Sequence, residues 1–486
     1  MNILFACSEL YPLIKTGGLA DVAYNLPAAL RRQGHDIRIV LPSYSGLAEA
    51  HHKWLDYSAE VMGYPVGLLQ AHLKGTDIPV YLVDCPQLFD RPGGPYGEYA
   101  DQPWTDNAQR FGLFCRVSEK IALNQVGLAW HPDTVHCNDW HTGLLPLLLA
   151  SHNKRPQCLF TIHNLAYQGL FDRIDFEALD LPATVDGKVL WDYQALEYYG
   201  MMSFMKAGIV FADAVNTVSV GYAKEVLSKE FGCGLEGLLR SLGEGFSGIT
   251  NGIDTQLWDP SNDPMIQTIY GSHSLHRKVF NKLALLAEFQ LLGHQDRLLL
   301  GIVSRLTEQK GIDLLIEALP LIMQLPVDLV VLGNGDKVLE KALLEVEKQY
   351  PMRISVKPAY DERAAHLVIA GADALLIPSR YEPCGLTQMY AQRYGTIPVA
   401  HGVGGLADTI IDIAPFSENI ADSTGVLFWD FTPDALIDAL QRLHFVYDNL
   451  LLWRDLQRSG MGEDFSWDIS ATGYSNLYQS LISQKY

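Results

Sequence analysis

Short apolar runs recur along the chain, each bounded by polar or glycine-bearing peptides. In the first half they fall at Asn2–Ser8, Asp36–Leu41, Pro79–Asp84, Thr134–Cys137, Gln157–Ile162 and Ala214–Val218. Most are rich in Val and Ile on both faces, the pattern of parallel strands covered on each side by helices. Helix-period segments lie between many of them. "LADVAYNLPAALRRQGH" puts Leu19, Val22, Ala23, Leu26, Ala29 and Leu30 on one stripe, with Pro27 as a kink and Gly34 as the C-terminal stop. The second half repeats this grammar in "RLLLGIVSRL" from Arg297, "VDLVVLGNG" from Val327, "RISVKPAY" from Arg353, "ADALLIPSR" from Ala372, "TIPVAHG" from Thr396 and "TGVLF" from Thr424. Such alternation predicts an α/β chain made of two doubly wound domains in tandem. The glycine-rich "FGCGLEGLLRSLGEGF" sets the expected boundary, giving domains 1–245 and 246–462. An amphipathic segment, 463–486, opening with "EDFSW", is expected to pack back on the first domain.

Doubly wound sheets bind ligands beyond the carboxyl ends of their strands. The peptides "KTGG", "HCNDWH", "TIHN", "TVS", "VSRLTEQKG", "LGNGD", "PSRYEPCG" and "GVGG" each follow an apolar run directly. Both sheets therefore aim their polar chemistry at one edge, and two facing edges make a cleft.

At 486 residues the chain exceeds what one core supports, in keeping with two domains. Its formal net charge of -20 argues against nucleic acid or an anionic membrane as partner, because both repel an acidic surface. A neutral polymer escapes that penalty, whereas a small anion needs local cations and backbone N–H groups. The seven cysteines are scattered and never in Cys-x-x-Cys spacing, so neither a disulfide frame nor a zinc site is expected. "MNILFACSEL" lacks the basic start of a signal peptide, and no apolar run approaches the roughly 20 residues of a membrane span, so the cytoplasm is the expected location. Nothing in the chain fixes an oligomeric state.

No G-x-x-x-x-G-K-[ST] string occurs, and no G-x-G-x-x-G string directly follows one of these apolar runs, which weakens nucleotide triphosphatase and dinucleotide readings. Instead Gly-Gly-Leu-Ala-Asp occurs twice, at Gly17 and Gly404. Paired glycines such as Gly17 and Gly18 let a ligand oxygen approach backbone N–H groups at a helix start, and Lys15 before them favours an anion. Arg305 and Lys310 share one post-strand loop and suit a diphosphate. Glu382 sits between a strand end and a glycine turn, where its carboxylate reaches sugar hydroxyls or developing positive charge, while N–H groups at Cys384, Gly385 and Leu386 meet further oxygens. Tyr360 offers a flat face to a base or sugar, or packs in the core. Asp139 and His163 end strands in the first half. His136, Asp139 and His141 alternate in direction along a strand end, which argues against a shared metal, and no Asp-x-Asp pair is present to hold one beside a sugar nucleotide. Trp140 either stacks on a sugar or fills the core. No G-x-S-x-G elbow supports a serine hydrolase.

"KTGGLADV", "HCNDWH", "TIHN", "ITNGID", "SRLTEQKG" and "SRYEPCGLTQMYAQRYGTIPV" followed by "GGLADT" resemble the bacterial glycogen synthase and plant starch synthase family, in the same order over essentially the whole chain. The resemblance implies the GT-B glycosyltransferase fold, two Rossmann-like domains facing a deep interdomain cleft. It also implies retaining transfer of glucose from ADP-glucose to the non-reducing end of an α-1,4-glucan, with no cofactor or metal. Lys15, Gly17 and Gly18 then line the donor site, Arg305 and Lys310 neutralise the leaving diphosphate, and Glu382 contacts the transferred glucose. By the same resemblance Tyr360 stacks on adenine and Thr387 sits near the phosphates. Asp139 and His163 meet the sugar, the latter partly through its carbonyl, and Asn251 is a further cleft residue. Many related transferases carry a second Glu eight positions after the first. Here that position is Tyr390, as expected for the glycogen and starch synthase branch, so ribose contacts of those relatives do not carry over. A UDP-sugar transferase or epimerase of the same fold and a non-catalytic glucan-binding protein are the competing readings. Intact Lys15, Arg305, Lys310 and Glu382 speak against the last, since a carbohydrate module needs no diphosphate cradle.

Overall fold

A computed structural model describes residues 1–48, 53–99, 102–294, 297–359, 361–413, 420 and 422–483. The chain divides into two compact units, one of Met1–Val218, Ala223–Gly252 and Trp467–Tyr486, the other of Ser219–Tyr222 and Ile253–Ser466.

The first unit is built on a nine-stranded sheet. Across it run, all parallel, Phe246–Gly248, Ala214–Thr217, Gln157–Ile162, Thr134–Asn138, Asn2–Ala6, Asp36–Pro42 and Pro79–Asp84. Tyr64–His72 and Lys53–Val61 extend it as an antiparallel ribbon. Phe246–Gly248 pairs with Ala214–Thr217, so the glycine-rich stretch ending at Gly245 does not close this unit. Ile3, Leu4 and Phe5 are fully buried, as both faces of the sheet are covered. The helix Gly18–Arg32 runs through Pro27 and stops where Gly34 adopts a φ of 91°.

The last helix, Trp467–Ser483, belongs to this unit and packs on Gly18–Arg32. Its Asp468 takes Arg32 at 2.7 Å and its Ser475 Oγ meets His35 Nε2 at 2.8 Å. Deeper in, His136 Nδ1 meets Tyr478 Oη at 2.7 Å and His136 Nε2 meets Thr161 Oγ1 at 2.7 Å. His136 thus spends both ring nitrogens on holding this helix to the sheet, and burial lowers its pKa well below the usual histidine value.

The second unit holds a six-stranded parallel sheet in the order Ile354–Lys357, Val327–Leu332, Leu298–Val303, Ala374–Ile377, Ile397–His401, Val426–Phe428. Numbered along the chain this is 3-2-1-4-5-6, the Rossmann order. Alternation along Leu298–Val303 sends Leu298, Leu300 and Ile302 into a core shared with the helices Ile312–Ile322 and Pro433–Tyr447. Leu299 points into the opposite core, against Lys278–Glu288 and Glu362–Gly371.

In each sheet the first strand in sequence lies where the strand order reverses. The flanking connections leave in opposite directions there and open a crevice at the carboxyl ends. In the first unit that crevice lies between Asn2–Ala6 and Thr134–Asn138, in the second between Leu298–Val303 and Ala374–Ile377. Among the described residues no helix is long and apolar enough to cross a membrane.

Candidate active site

In the second unit the loop after Leu298–Val303 carries Arg305 and, on a single helical turn Glu308–Lys310, Lys310. Gly311 then turns the chain at a φ of 69°, and a Cβ there would lie 1.7 Å from the Pro378 carbonyl oxygen, so only glycine fits. That close approach brings together the loops on the two sides of the crevice. Lys310 Nζ donates to Glu382 Oε2 at 2.6 Å, and Ser379 Oγ donates to the same oxygen at 2.9 Å. Among the described residues no donor reaches Glu382 Oε1, so the carboxylate keeps one oxygen for a ligand. Glu382 is 6 % exposed, while Arg305 is exposed and its guanidinium has no partner among the described residues.

The rest of the Glu382 loop is fixed by its own backbone. Gly405 N donates to the Glu382 carbonyl at 3.1 Å, and a Cβ at Gly405 would sit 2.2 Å from the Cys384 carbonyl oxygen. The second Gly-Gly turn therefore braces the loop through close backbone contact. Gln388 Nε2 reaches the carbonyls of Cys384 at 3.1 Å and Gly385 at 3.0 Å, and His401 Nδ1 meets that of Ser379 at 2.8 Å. Thr387 opens the helix Thr387–Arg393 behind Leu386, which supplies no side-chain cap; the Leu386 carbonyl takes Met389 N at 3.0 Å, so the Thr387 and Gln388 amides are left to acceptors outside the helix. Tyr360 lies outside the described residues. Tyr390, where related transferases carry a second Glu, stacks on Trp258 at 3.9 Å, and Trp258 stacks on His366 at 3.7 Å. An aromatic pile occupies the place of a polar contact.

The first unit presents its own half of the chemistry. Asp139 follows Thr134–Asn138 with φ 61° and ψ 177°, a conformation that belongs to glycine and costs roughly 1–3 kcal/mol elsewhere. Its Oδ1 accepts from Trp140 N at 2.8 Å. Burial pushes its carboxyl up to about 7, with a smaller push from the charge of Glu9, against the lowering effect of backbone N–H groups at Trp140 and Asn164. His163 follows Gln157–Ile162 and its Nε2 lies 3.0 Å from Asn138 Oδ1. The Asn138 amide nitrogen already donates to the carbonyls of Ala6 and His136, so Oδ1 is an acceptor, Nε2 carries the proton and Nδ1 is the basic nitrogen. Burial lowers His163 to about 3, which keeps the ring neutral at working pH. Asn251 is 7 % exposed and its Oδ1 has no hydrogen-bond partner among the described residues. It is an acceptor held ready in a buried place.

The Lys15–Gly18 turn departs from expectation. Its anion is the protein's own: Glu9 Oε2 accepts from Thr16 N at 2.6 Å and Gly17 N at 3.0 Å. Lys15 Nζ pairs with Asp21 at 2.8 Å, and Gly18 begins the helix. Nothing in the sequence marked Glu9, because a single acidic residue after a strand resembles a solvated one. Trp140 packs against His141, Phe111 and Phe171, and a Cβ on Gly169 would lie 2.4 Å from its ring, so it fills space within the unit. With His136 turned to the last helix, His136, Asp139 and His141 do not converge, and among the described residues no group of three metal-ligating side chains is found.

Two Rossmann-type units in one chain, with a cation and a carboxylate paired at the switch point of the second, define a glycosyltransferase of the GT-B type. Residues 2–241 match the starch synthase catalytic domain family and 287–444 the glycosyl transferases group 1 family. The chain is 47 % identical over 483 residues to glycogen synthase 1 of Methylococcus capsulatus, covering 99 % of this chain and 97 % of that one. It is 48 % identical over 489 residues to glycogen synthase 2 of Nitrosococcus oceani, covering 100 % and 98 %. The catalytic domain of starch synthase IV from Arabidopsis thaliana, bound to ADP and acarbose, is similar with a TM-score of 0.88 and 31 % identity over 99 % of both chains. The chain belongs to the glycogen and starch synthase family and is a glucosyltransferase.

Proposed function

We propose that the protein transfers glucose from ADP-glucose to the non-reducing end of an α-1,4-glucan with retention, releasing ADP. The observation that carries the reading is the 2.6 Å contact of Lys310 Nζ with Glu382 Oε2 at the second sheet's switch point, with an exposed Arg305 on the loop that carries Lys310. Cleavage of a sugar nucleotide builds negative charge on the diphosphate and positive charge at C1, so cations and a carboxylate side by side match its transition state. An ammonium has three donors, so Lys310 can hold Glu382 and a phosphate oxygen together.

In this reading the bond from C1 to the β-phosphate oxygen breaks while the acceptor hydroxyl oxygen bonds C1 on the same face, and the hydroxyl proton passes to the departing phosphate. Lys310 and Arg305 neutralise that phosphate, each supplying about 3 kcal/mol of barrier reduction. Glu382 faces the positive charge at C1. Thr387 and the amides of Cys384, Gly385 and Leu386 meet remaining donor oxygens, and Tyr360 stacks on adenine. From the first unit, Lys15, Gly17 and Gly18 serve the donor, and Asp139, His163 and Asn251 the hexose. His163 acts as a neutral hydrogen-bonding group, consistent with its depressed pKa. Support for the donor and acceptor comes from relatives that are glycogen synthases and from a starch synthase bound to ADP.

The test is a product assay. Purified protein is incubated with glycogen and either ADP-glucose or UDP-glucose, and the lengthened chains are digested with β-amylase. ADP release matched by new amylase-sensitive glucose is expected. Turnover confined to UDP-glucose, or nucleotide release without chain growth, would overturn the reading.

A further inference from the structure

Glu9 is among the most thoroughly engaged carboxylates of the first unit, and nothing in the proposed reaction uses it. It is 4 % exposed, just beyond the Asn2–Ala6 strand. Its Oε2 takes the amides of Thr16 and Gly17, and its Oε1 accepts from Tyr96 Oη at 2.6 Å. Tyr96 Oη in turn meets Ser8 Oγ at 2.8 Å, and its ring stacks on His141 at 4.4 Å. Burying a carboxylate costs several kcal/mol unless such donors compensate it. A glutamate placed here therefore fixes the shape of the turn that carries Lys15.

We propose that Glu9 is a positioning residue, whose carboxylate pins the Lys15–Gly17 turn from beneath and whose negative charge acts across the sheet's switch point on Asp139. The second half of the inference rests on the role proposed for Asp139, whereas the first does not. Cys7, Tyr44, Tyr96 and Asp139 feel the Glu9 charge. Burial pushes the first three far up and keeps them neutral at working pH. The neighbouring rings of His141 and His163 are held neutral by burial. Lys15 on the turn pairs with Asp21 in the first turn of the helix Gly18–Arg32. Of the four, Asp139 is the one that titrates near neutral pH.

Glu9→Gln keeps the shape and removes the charge. Hydrogen exchange measured by mass spectrometry over Leu10–Gly18 is expected to quicken about tenfold in this variant, as charge-assisted bonds become neutral ones. The pH limb of kcat/KM near 7, absent in Asp139→Asn, is expected to move to lower pH. Tyr96→Phe leaves the charge in place, so its limb should stay where the wild type has it. Unchanged exchange over Leu10–Gly18 in folded Glu9→Gln would overturn the anchoring role whatever the enzyme transfers. A limb that stays put in Glu9→Gln yet vanishes in Asp139→Asn would overturn the charge effect alone. A limb that persists in Asp139→Asn would overturn the assignment of Asp139 and with it the charge effect.

Discussion

Removing Lys310 should separate stability from catalysis. Lys310→Met deletes the ammonium 2.6 Å from Glu382 Oε2 and leaves a carboxylate whose side chain is 8 % exposed with Ser379 Oγ as its remaining donor. Breaking a fully buried pair costs about 3–5 kcal/mol. Lys310 is 20 % exposed and Ser379 stays, so about 1–2 kcal/mol is a better figure here. For a domain of this size that lowers Tm by about 3–6 °C. Turnover should fall by about 100- to 1,000-fold, the loss of one preorganised charge at the leaving group. Adding Glu382→Gln removes the stranded charge, and a buried pair replaced on both sides is close to neutral for folding. The double variant should therefore regain most of the lost Tm and none of the lost turnover. Melting curves and initial rates on the two single variants and the double one complete the cycle. Rates within tenfold of wild type in Lys310→Met, or no recovery of Tm in the double variant, would refute the reasoning.

Asp139→Gly should melt higher than wild type at pH 8 yet lose turnover, because glycine relieves both the strained φ of 61° and the buried carboxylate. The sign follows from the raised pKa: between the unfolded value near 4 and the folded value of about 7 the native state holds more protons, so this group's penalty grows with pH across that window and is absent below it. The stability gain of Asp139→Gly should accordingly shrink at pH 4 to the part due to strain. His163→Ala should lower turnover without moving any pH limb between 5.5 and 9, since the ring titrates near 3; a limb that moves would show that His163 titrates in that range. Gly311→Ala should lower both Tm and turnover, because its Cβ would meet the Pro378 carbonyl at 1.7 Å and part the Lys310 and Glu382 loops. A rate equal to wild type there would mean that this close approach is dispensable.

Much of the fold was legible because buried parallel strands leave continuous apolar runs, and the peptides behind those runs are the ones the topology gathers at the switch points. Lys310 and Glu382 could be named from their loops, but their 2.6 Å contact could not, since it depends on Gly311 letting two distant segments touch. The doubled Gly-Gly motif read as one device twice. Instead the first copy wraps a buried carboxylate and the second braces the Glu382 loop. Glu9 was illegible for a simple reason: one of the donors that hold it, Tyr96, is remote in sequence. His136 and Tyr390 show the reverse case, polar or aromatic residues whose place near motifs suggested chemistry or marked a family difference. Their partners, Tyr478 and Trp258, come from elsewhere in the chain and give them packing roles.

The most direct test of the central assignment is single-turnover transfer from ADP-glucose to maltoheptaose by wild-type protein and Glu382→Gln, followed by mass spectrometry of the oligosaccharide. Wild type is expected to yield a product one hexose longer with an equimolar amount of ADP, while Glu382→Gln binds ADP normally and forms product at least 100-fold more slowly. A wild-type rate in the folded variant, or no hexose gained by the acceptor with the native protein, would contradict it.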